Sequence, residues 1–278
     1  MKLLELFSGT HSIGIQAEKL NFEVVSLDRD LEAKSKLYNY TSKHHIKEDI
    51  LTWDYKKDFN PGDFKIITAS PACVYWSQLR NCWINRKSKA IHPTDIITKE
   101  ILEEEINLKG KPMVDKIFEI IEYFKPKYWW IENPQTGKMK DYIKDKYPQY
   151  NIFYDVDYCK YSDWGYKKKT RFWTNIEGFI PKICKNDCEN IIKIENKKIH
   201  KISLGDNNKL ISDNGKIIRP NKKHLREKYK DFVDVHRLHF GEKGRKGCVG
   251  GGNNRLLRYR IPSKLINELL EKCIFDNQ

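Results

Sequence analysis

The apolar residues of this chain fall in short runs that alternate between two periodicities. Residues 2–7 form an apolar run that stops at Ser8-Gly9, and Ile13, Ala17 and Leu20 follow at helical spacing. Residues 23–28 (EVVSLD) are β-branched and end in an acid, and residues 64–70 (FKIITAS) read as a buried strand closed by Pro71. Residues 112–124 open on a proline and repeat Val114, Ile117, Ile121 and Phe124, which predicts a helix. Residues 128–132 (YWWIE) predict the next strand, stopped by Asn133-Pro134; a helix over 138–146 and a strand over 151–158 follow. Residues 262–274 place Leu265, Ile266, Leu269, Leu270 and Cys273 on one face, which predicts a closing helix. Strands alternating with helices through short connections predict an α/β fold: a mostly parallel sheet covered by helices on both faces. In such sheets the active residues gather at the carboxyl ends of the strands.

Two stretches break the alternation. Residues 84–109 are polar, end in the acidic cluster Glu100–Glu105, and read as a long functional connection. Residues 177–254 are rich in Lys, Asn and Gly, end near Gly250-Gly251-Gly252, and read as a small appended lobe. The expected organisation is therefore a body over 1–176, completed by 255–278, with a lobe over 177–254.

Charge adds a direction to this picture. The 278 residues carry 52 basic and 38 acidic side chains, a net charge of +14. Residues 1–150 hold 24 basic and 22 acidic groups, and residues 151–278 hold 28 and 16. Between Lys160 and Arg260 there are 26 basic and 11 acidic residues, which suggests a polyanion-facing surface on a near-neutral body. No stretch approaches the roughly 18 apolar residues of a membrane span, and the first residues lack a signal-peptide pattern. Seven cysteines without framework spacing point to free thiols in a reducing, cytoplasmic compartment.

Four constellations carry chemistry. In residues 5–14 (ELFSGTHSIG) a strand runs through a glycine turn into a helix, presenting backbone N–H groups and a helix dipole to a ligand. Asp28 ends the next strand, where an acid can accept ribose hydroxyls, and Asp49 is placed for an adenine amino group. Either acid is also a plausible helix cap or solvated turn residue. In residues 70–78 (SPACVYWSQ) Cys73 lies just beyond a strand, at the rim where ligands sit, and a thiolate is a good nucleophile toward an electron-poor ring carbon. In residues 129–134 (WWIENP) Glu132 lies among apolar residues and is suited to delivering a proton. In residues 165–173 (GYKKKTRFW) Arg171 enters a strand among aromatics and can hold a carbonyl or phosphate, while Lys167, Lys168 and Lys169 are either phosphate contacts or a solvated run.

Taken in order, these residues resemble the DNA cytosine-5 methyltransferase family, in its compact phage and viral branch. Phe7-Ser8-Gly9 resembles the motif that binds S-adenosyl-L-methionine (AdoMet), and Asp28 and Asp49 resemble its adenosine-contacting acids. Pro71-Ala72-Cys73 with Ser77 resembles the catalytic cysteine loop, Glu132-Asn133 the glutamate–asparagine motif, and Lys169-Thr170-Arg171 the tail of the arginine motif. The usual Gly-x-Gly reads Gly9-Thr10-His11, and the second proline of the cysteine loop is Ala72. The resemblance implies a Rossmann-like, class I AdoMet-dependent methyltransferase with Cys73, Glu132 and Arg171 catalytic. It implies a cofactor held by Phe7, Ser8, Gly9, Thr10, Asp28, Asp49, Ile50 and Pro71. It also implies double-stranded DNA as partner, contacted by Ser77, Arg80 and Lys167–Lys169, a monomeric enzyme, and a mobile loop over 78–109 that closes on a flipped base. A tRNA cytosine-5 methyltransferase and a DNA-binding protein without catalysis remain alternatives.

The lobe holds one further pattern. Cys184, Cys188 and His200 have spacing that can hold zinc with one more ligand, such as His224, His236 or His239; unrelated surface thiols are the plainer reading.

Overall fold

The computed structural model describes residues 1–30, 40, 42–88, 92–194, 197–200, 210–211, 217–218 and 259–275. His224, His236, His239 and Gly250–Gly252 lie outside the described residues.

In chain order the elements are β1 (Lys2–Leu6), α1 (Ser12–Lys19), β2 (Glu23–Leu27), β3 (His44–Ile46), α2 (Tyr55–Asp58), β4 (Ile66–Ala69), β5 (Lys87–Ser88) and β6 (His92–Ile96). Then come α3 (Lys99–Glu105), α4 (Lys111–Phe124), β7 (Tyr128–Pro134), α5 (Met139–Lys146), β8 (Phe153–Asp157) and β9 (Lys169–Thr174). The remainder comprises β10 (Ile191–Ile194), β11 (Lys197–His200), β12 (Leu210–Ile211), β13 (Ile217–Ile218) and α6 (Ser263–Phe275).

Seven strands form one sheet in the order β3-β2-β1-β4-β7-β9-β8. The pairs β2–β3, β1–β2, β1–β4 and β4–β7 are parallel, and β7–β9 is antiparallel. The central strands are apolar because both sheet faces are covered: Leu3, Leu4, Leu6, Ile66, Ile67, Trp130 and Ile131 are all buried. α4 contributes Val114, Ile117, Phe118, Ile121 and Phe124 to the core, at the helical spacing read from the sequence.

This strand order has a functional consequence. From β1 the chain moves outward to β2 and β3, then crosses back to β4 on the other side of β1. The carboxyl ends of β1 and β4 therefore flank a topological switch point, where ligands bind in open α/β sheets.

The described residues divide into two compact units. The first is residues 1–156, 169–181 and 266–278; the second is residues 157–168 and 182–265. Residues 157–168 thus pack with the second unit although they precede β9. Side-chain bonds explain this: Asn190 Nδ2 donates to the carbonyls of Cys159 (2.9 Å) and Ser162 (2.7 Å), and its Oδ1 accepts the Gly165 N–H (2.9 Å).

Within the long connection read over 84–109, the described residues carry secondary structure. β5 and β6 form a short antiparallel ladder, and α3 follows, capped by Thr98, whose Oγ1 accepts the Ile101 N–H at 3.3 Å. A single π turn, Ile106–Gly110, then leads directly into α4. Buried Ile97, Leu102 and Glu105 hold this segment to the body, which is why it is structured.

Candidate active site

The turn after β1 is built on three left-handed residues, Phe7 (φ 56°), Gly9 (φ 52°) and His11 (φ 53°). Glycine adopts this conformation freely, whereas His11 is strained where the family pattern has a glycine. Buried Glu5 organises the turn. Its carboxylate accepts the N–H groups of Ile13 (3.2 Å) and Gly14 (3.1 Å) and the Ser26 hydroxyl (3.1 Å), and its Oε2 lies 3.6 Å from His11 Nδ1. Glu5 therefore satisfies donors at the start of α1 from below. A side chain at Gly14 would lie 2.7 Å from Glu5 Oε2, so this close approach requires glycine.

Asp28 stands at the carboxyl end of β2. Its oxygens accept the N–H groups of Gly9 (2.9 Å) and Asp30 (2.9 Å), so it locks the glycine turn to the adjacent strand end. Asp49 is more exposed; it accepts the Leu51 N–H at 3.0 Å and pairs with Arg29 at 3.3 Å. Ile50 and Thr10 are buried.

β4 ends in Ser70-Pro71, and Cys73 begins a short 3₁₀ turn, Cys73–Tyr75. The Cys73 carbonyl accepts the N–H groups of Trp76 (3.1 Å) and Ser77 (3.0 Å), which closes the turn after Cys73. Trp76 anchors this loop. It is 2% exposed, stacks on Tyr142 with centroids 5.7 Å apart, and its carbonyl accepts the Lys138 N–H at 2.9 Å. Gly110 and Gly137 make room for it: a side-chain carbon at Gly110 would lie 3.1 Å from the Trp76 ring, and one at Gly137 3.3 Å from its carbonyl.

The parallel pairing of β4 with β7 sets Ala69 opposite Ile131, which carries the cysteine loop alongside Glu132-Asn133. Asn133 Nδ2 donates to the Pro71 carbonyl at 3.0 Å and ties the two motifs together. Glu132 is 7% exposed, at the carboxyl end of the strand.

Arg171 lies on β9 opposite Asn133, one residue out of register with Glu132, which pairs with Phe172. A one-residue offset sends a side chain to the other face of a sheet. The Arg171 guanidinium is held by both Asp155 oxygens (2.7 and 2.8 Å) and lies 3.5 Å from the centroid of Phe153. Asp155 also accepts from Gln135 at 2.8 Å. Burial opposes the charge on Asp155, but the Arg171 and Gln135 bonds outweigh it and hold the carboxyl below its ordinary pKa.

The residues expected to contact DNA are placed unequally. Ser77 caps the 3₁₀ segment Gln78–Trp83 by accepting the Leu79 N–H at 3.3 Å. Arg80 is not on the surface: it is 3% exposed, with its guanidinium paired to Glu105. The physical reason is the ordered 97–110 segment, which brings the Glu105 carboxylate over it; burial lowers the Arg80 pKa. Lys167 donates to the Cys184 carbonyl (2.7 Å) and pairs with Asp157 (3.1 Å), so it serves the second unit's own structure. Lys168 lies 4.7 Å from the Tyr158 ring centroid, and Lys169 is exposed at the start of β9.

Sequence reasoning missed Glu5, Trp76, Asp155 and Cys159. Glu5 sits inside an apolar strand where its acidic character was the available signal. Cys159 comes together with Cys184, Cys188 and His200, and its distance along the chain hid it.

The turn of residues 7–11, Asp28 and Asp49 lie at consecutive strand ends, and the Ser8 hydroxyl is buried without a hydrogen-bond partner. An unpaired buried hydroxyl beside a glycine turn fits a polar ligand such as AdoMet. The seven-strand order and the ligand-type turn at the switch point define a Rossmann-like fold of the class I methyltransferase type. The chain is 36% identical, over 276 residues, to the "Probable DNA (cytosine-5)-methyltransferase" of Frog virus 3 (isolate Goorha), covering 98% of this chain and 100% of that one. It belongs to the DNA (cytosine-5) methyltransferase family. Among solved structures, the Entamoeba histolytica methyltransferase EhMeth matches with a TM-score of 0.50 at 13% identity, covering 100% of this chain and 99% of that one. The S. pombe Dnmt2 methyltransferase matches with a TM-score of 0.48 at 13% identity, covering 100% and 98%. No protein-family model matches the chain. Among the described residues no helix is long and apolar enough to cross a membrane.

Proposed function

We propose that this chain methylates carbon 5 of cytosine in double-stranded DNA through a covalent Cys73 adduct on a base turned out of the duplex. The observation that carries this reading is the Asn133–Pro71 bond of 3.0 Å, which joins the cysteine loop to the Glu132 strand end at the switch point.

Carbon 5 of cytosine is a poor nucleophile in the intact ring. Attack of the Cys73 thiolate on carbon 6 forms a C–S bond and pushes electron density to carbon 5. Glu132 supports that attack by giving a proton or hydrogen bond to ring nitrogen 3 and by accepting from the exocyclic amino group. Asn133 and Trp76 hold the two motifs in register. Bound AdoMet supplies a methyl group activated by its sulfonium. Loss of the carbon 5 proton and elimination of the thiol then restore the ring and the enzyme. Arg171, paired with Asn133 on the face opposite Glu132 and held by both Asp155 oxygens, has the role of bracing the β7–β9 strand ends rather than of holding the ring carbonyl. Phe7–Thr10, Asp28, Asp49, Ile50 and Pro71 cradle the cofactor. The base must leave the stack, at a cost of a few kcal/mol.

The test is transfer of labelled methyl groups to matched duplex DNA and tRNA, with bisulfite sequencing of the DNA. Label at carbon 5 of duplex cytosine supports the reading. Label in tRNA alone moves the substrate to RNA. Failure to bind AdoMet in calorimetry, with no transfer to either, overturns the enzymatic reading in favour of a DNA-binding protein. A duplex carrying 5-fluorocytosine has no carbon 5 proton to lose, so it should trap the Cys73 adduct as a band stable to denaturation.

A further inference from the structure

The second unit contains a cluster that the methyltransferase chemistry does not use. Cys159, Cys184, Cys188 and His200 offer one ligand atom each, and these four atoms lie within 4.8 Å of one another. His200 Nε2 lies 3.6 Å from Cys184 Sγ and 3.4 Å from Cys188 Sγ. Four protein ligands on a tetrahedral zinc, with Zn–S near 2.3 Å and Zn–N near 2.0–2.1 Å, would sit about 3.6 Å apart for S···N and about 3.8 Å for S···S. We propose that Cys159, Cys184, Cys188 and His200 form a closed structural zinc site that organises the second unit.

The backbone around the cluster is built for it. Asn186 adopts a left-handed conformation (φ 59°) between the two cysteines of Cys184-x3-Cys188, turning the chain so that both sulfurs face one point. The Cys184 N–H itself donates to Asp157 at 2.8 Å, and the Cys188 carbonyl accepts the Ile191 N–H at 3.1 Å. β10 and β11 pair antiparallel with Ile191 opposite His200, which returns the histidine to the cysteine turn. Asn190, 3% exposed, clamps the Cys159 carbonyl, so the distant fourth ligand is held by the same turn.

The set is of the Cys₃His type, with every position filled by protein. Such a site is structural rather than catalytic, because no coordination position is left for water or substrate. It also suits the unit's composition. Residues 182–258 contain no long apolar run, and metal binding is a recognised substitute for a large core in small units.

The test uses the full chain, expressed with added zinc and purified under reducing conditions. Elemental analysis should find about one zinc per chain. Modifying the wild-type thiols with a mercurial should release that zinc stoichiometrically. Replacing zinc by cobalt should give the thiolate charge-transfer band and the strong visible bands of a tetrahedral cobalt site. Cys159→Ser and Cys188→Ser should lose the stoichiometric ion, whereas Cys82→Ser, at an exposed free thiol, should keep it. The wild-type measurements stand even where a ligand variant fails to fold. Wild-type protein with no stoichiometric zinc and no cobalt–thiolate band overturns the proposal. Zinc content unchanged in both Cys159→Ser and Cys188→Ser overturns it equally.

Discussion

The two units are held together in different ways. In the first, seven strands bury apolar side chains on both faces, and the polar groups of the site are mounted on strand ends that this burial makes rigid. In the second, a small aromatic cluster of Tyr158, Trp164 and Tyr166 is joined by specific polar contacts: Asn190 holds three backbone groups, Asp157 holds Cys184 and Lys167, and three thiols gather with an imidazole. Non-directional burial tolerates changes of sequence that conserve volume, whereas a polar or metal-linked unit depends on a few residues. The first unit is thus a scaffold with polar groups at its rim, whereas the second leans on a small aromatic cluster together with a few specific bonds.

The largest expected effect separates chemistry from scaffold. Cys73→Ala should lower methyl transfer by more than about 10³-fold, since the covalent route is removed, while thermal unfolding stays close to wild type. Residual transfer near the wild-type rate, measured by label incorporation, would rule out the covalent mechanism.

Next comes the anchor of the cysteine loop. Trp76→Ala removes a buried indole and should cost about 3–5 kcal/mol by chemical denaturation. Transfer should fall even under conditions where the variant remains folded. A loss below about 1 kcal/mol would mean that the loop is not tied to the core through Trp76.

A smaller effect tests the polar account of the second unit. Asn190→Ala strands the carbonyls of Cys159 and Ser162 and the Gly165 N–H, at about 1–3 kcal/mol. Hydrogen exchange should quicken within 157–168 and 184–194 while β1 and β4 keep their protection. Uniform acceleration across both units would erase the distinction.

The smallest effect is electrostatic and lies in the first unit. Burial disfavours the charge on Asp115, but bonds from Lys146, Tyr142 and Tyr147 outweigh it and lower its pKa. A lowered folded pKa contributes stability that is complete above the ordinary carboxylate value. That stability is lost as pH falls through the depressed one. Asp115→Asn should therefore flatten the acid limb of the stability curve by less than about 1 kcal/mol, because solvent screens this partly exposed cluster. An unchanged acid limb would mean that Asp115 titrates alike in the folded and unfolded chains.

Much of the first unit was legible in the residues. β1, β2, β4, β7, α4, α5 and α6 follow the hydrophobic periodicities closely, because central parallel strands are buried on both faces and amphipathic helices on one. The motifs around Cys73 and Glu132 were legible too, since each stands where an apolar strand stops. The segment over 84–109 was less so, because α3 is polar on its exposed side and its cap and burial emerge only when it is packed. Arg80 read as a surface cation, and only the arrival of Glu105, 25 residues on, revealed it as buried. Cys159 carried no signal as a ligand, because its partners lie 25, 29 and 41 residues away.

Taken alone, the sequence determined the alternation of elements, the order of the motifs and the concentration of positive charge between Lys160 and Arg260. These are local or additive properties, written in neighbouring residues. The tertiary structure decided which strand ends meet, that Asn133 reaches Pro71, that Asp155 holds Arg171, and that four distant side chains converge around one point. Those are pairings between groups far apart in the chain, and strand order and register, rather than local periodicity, bring them within bonding distance.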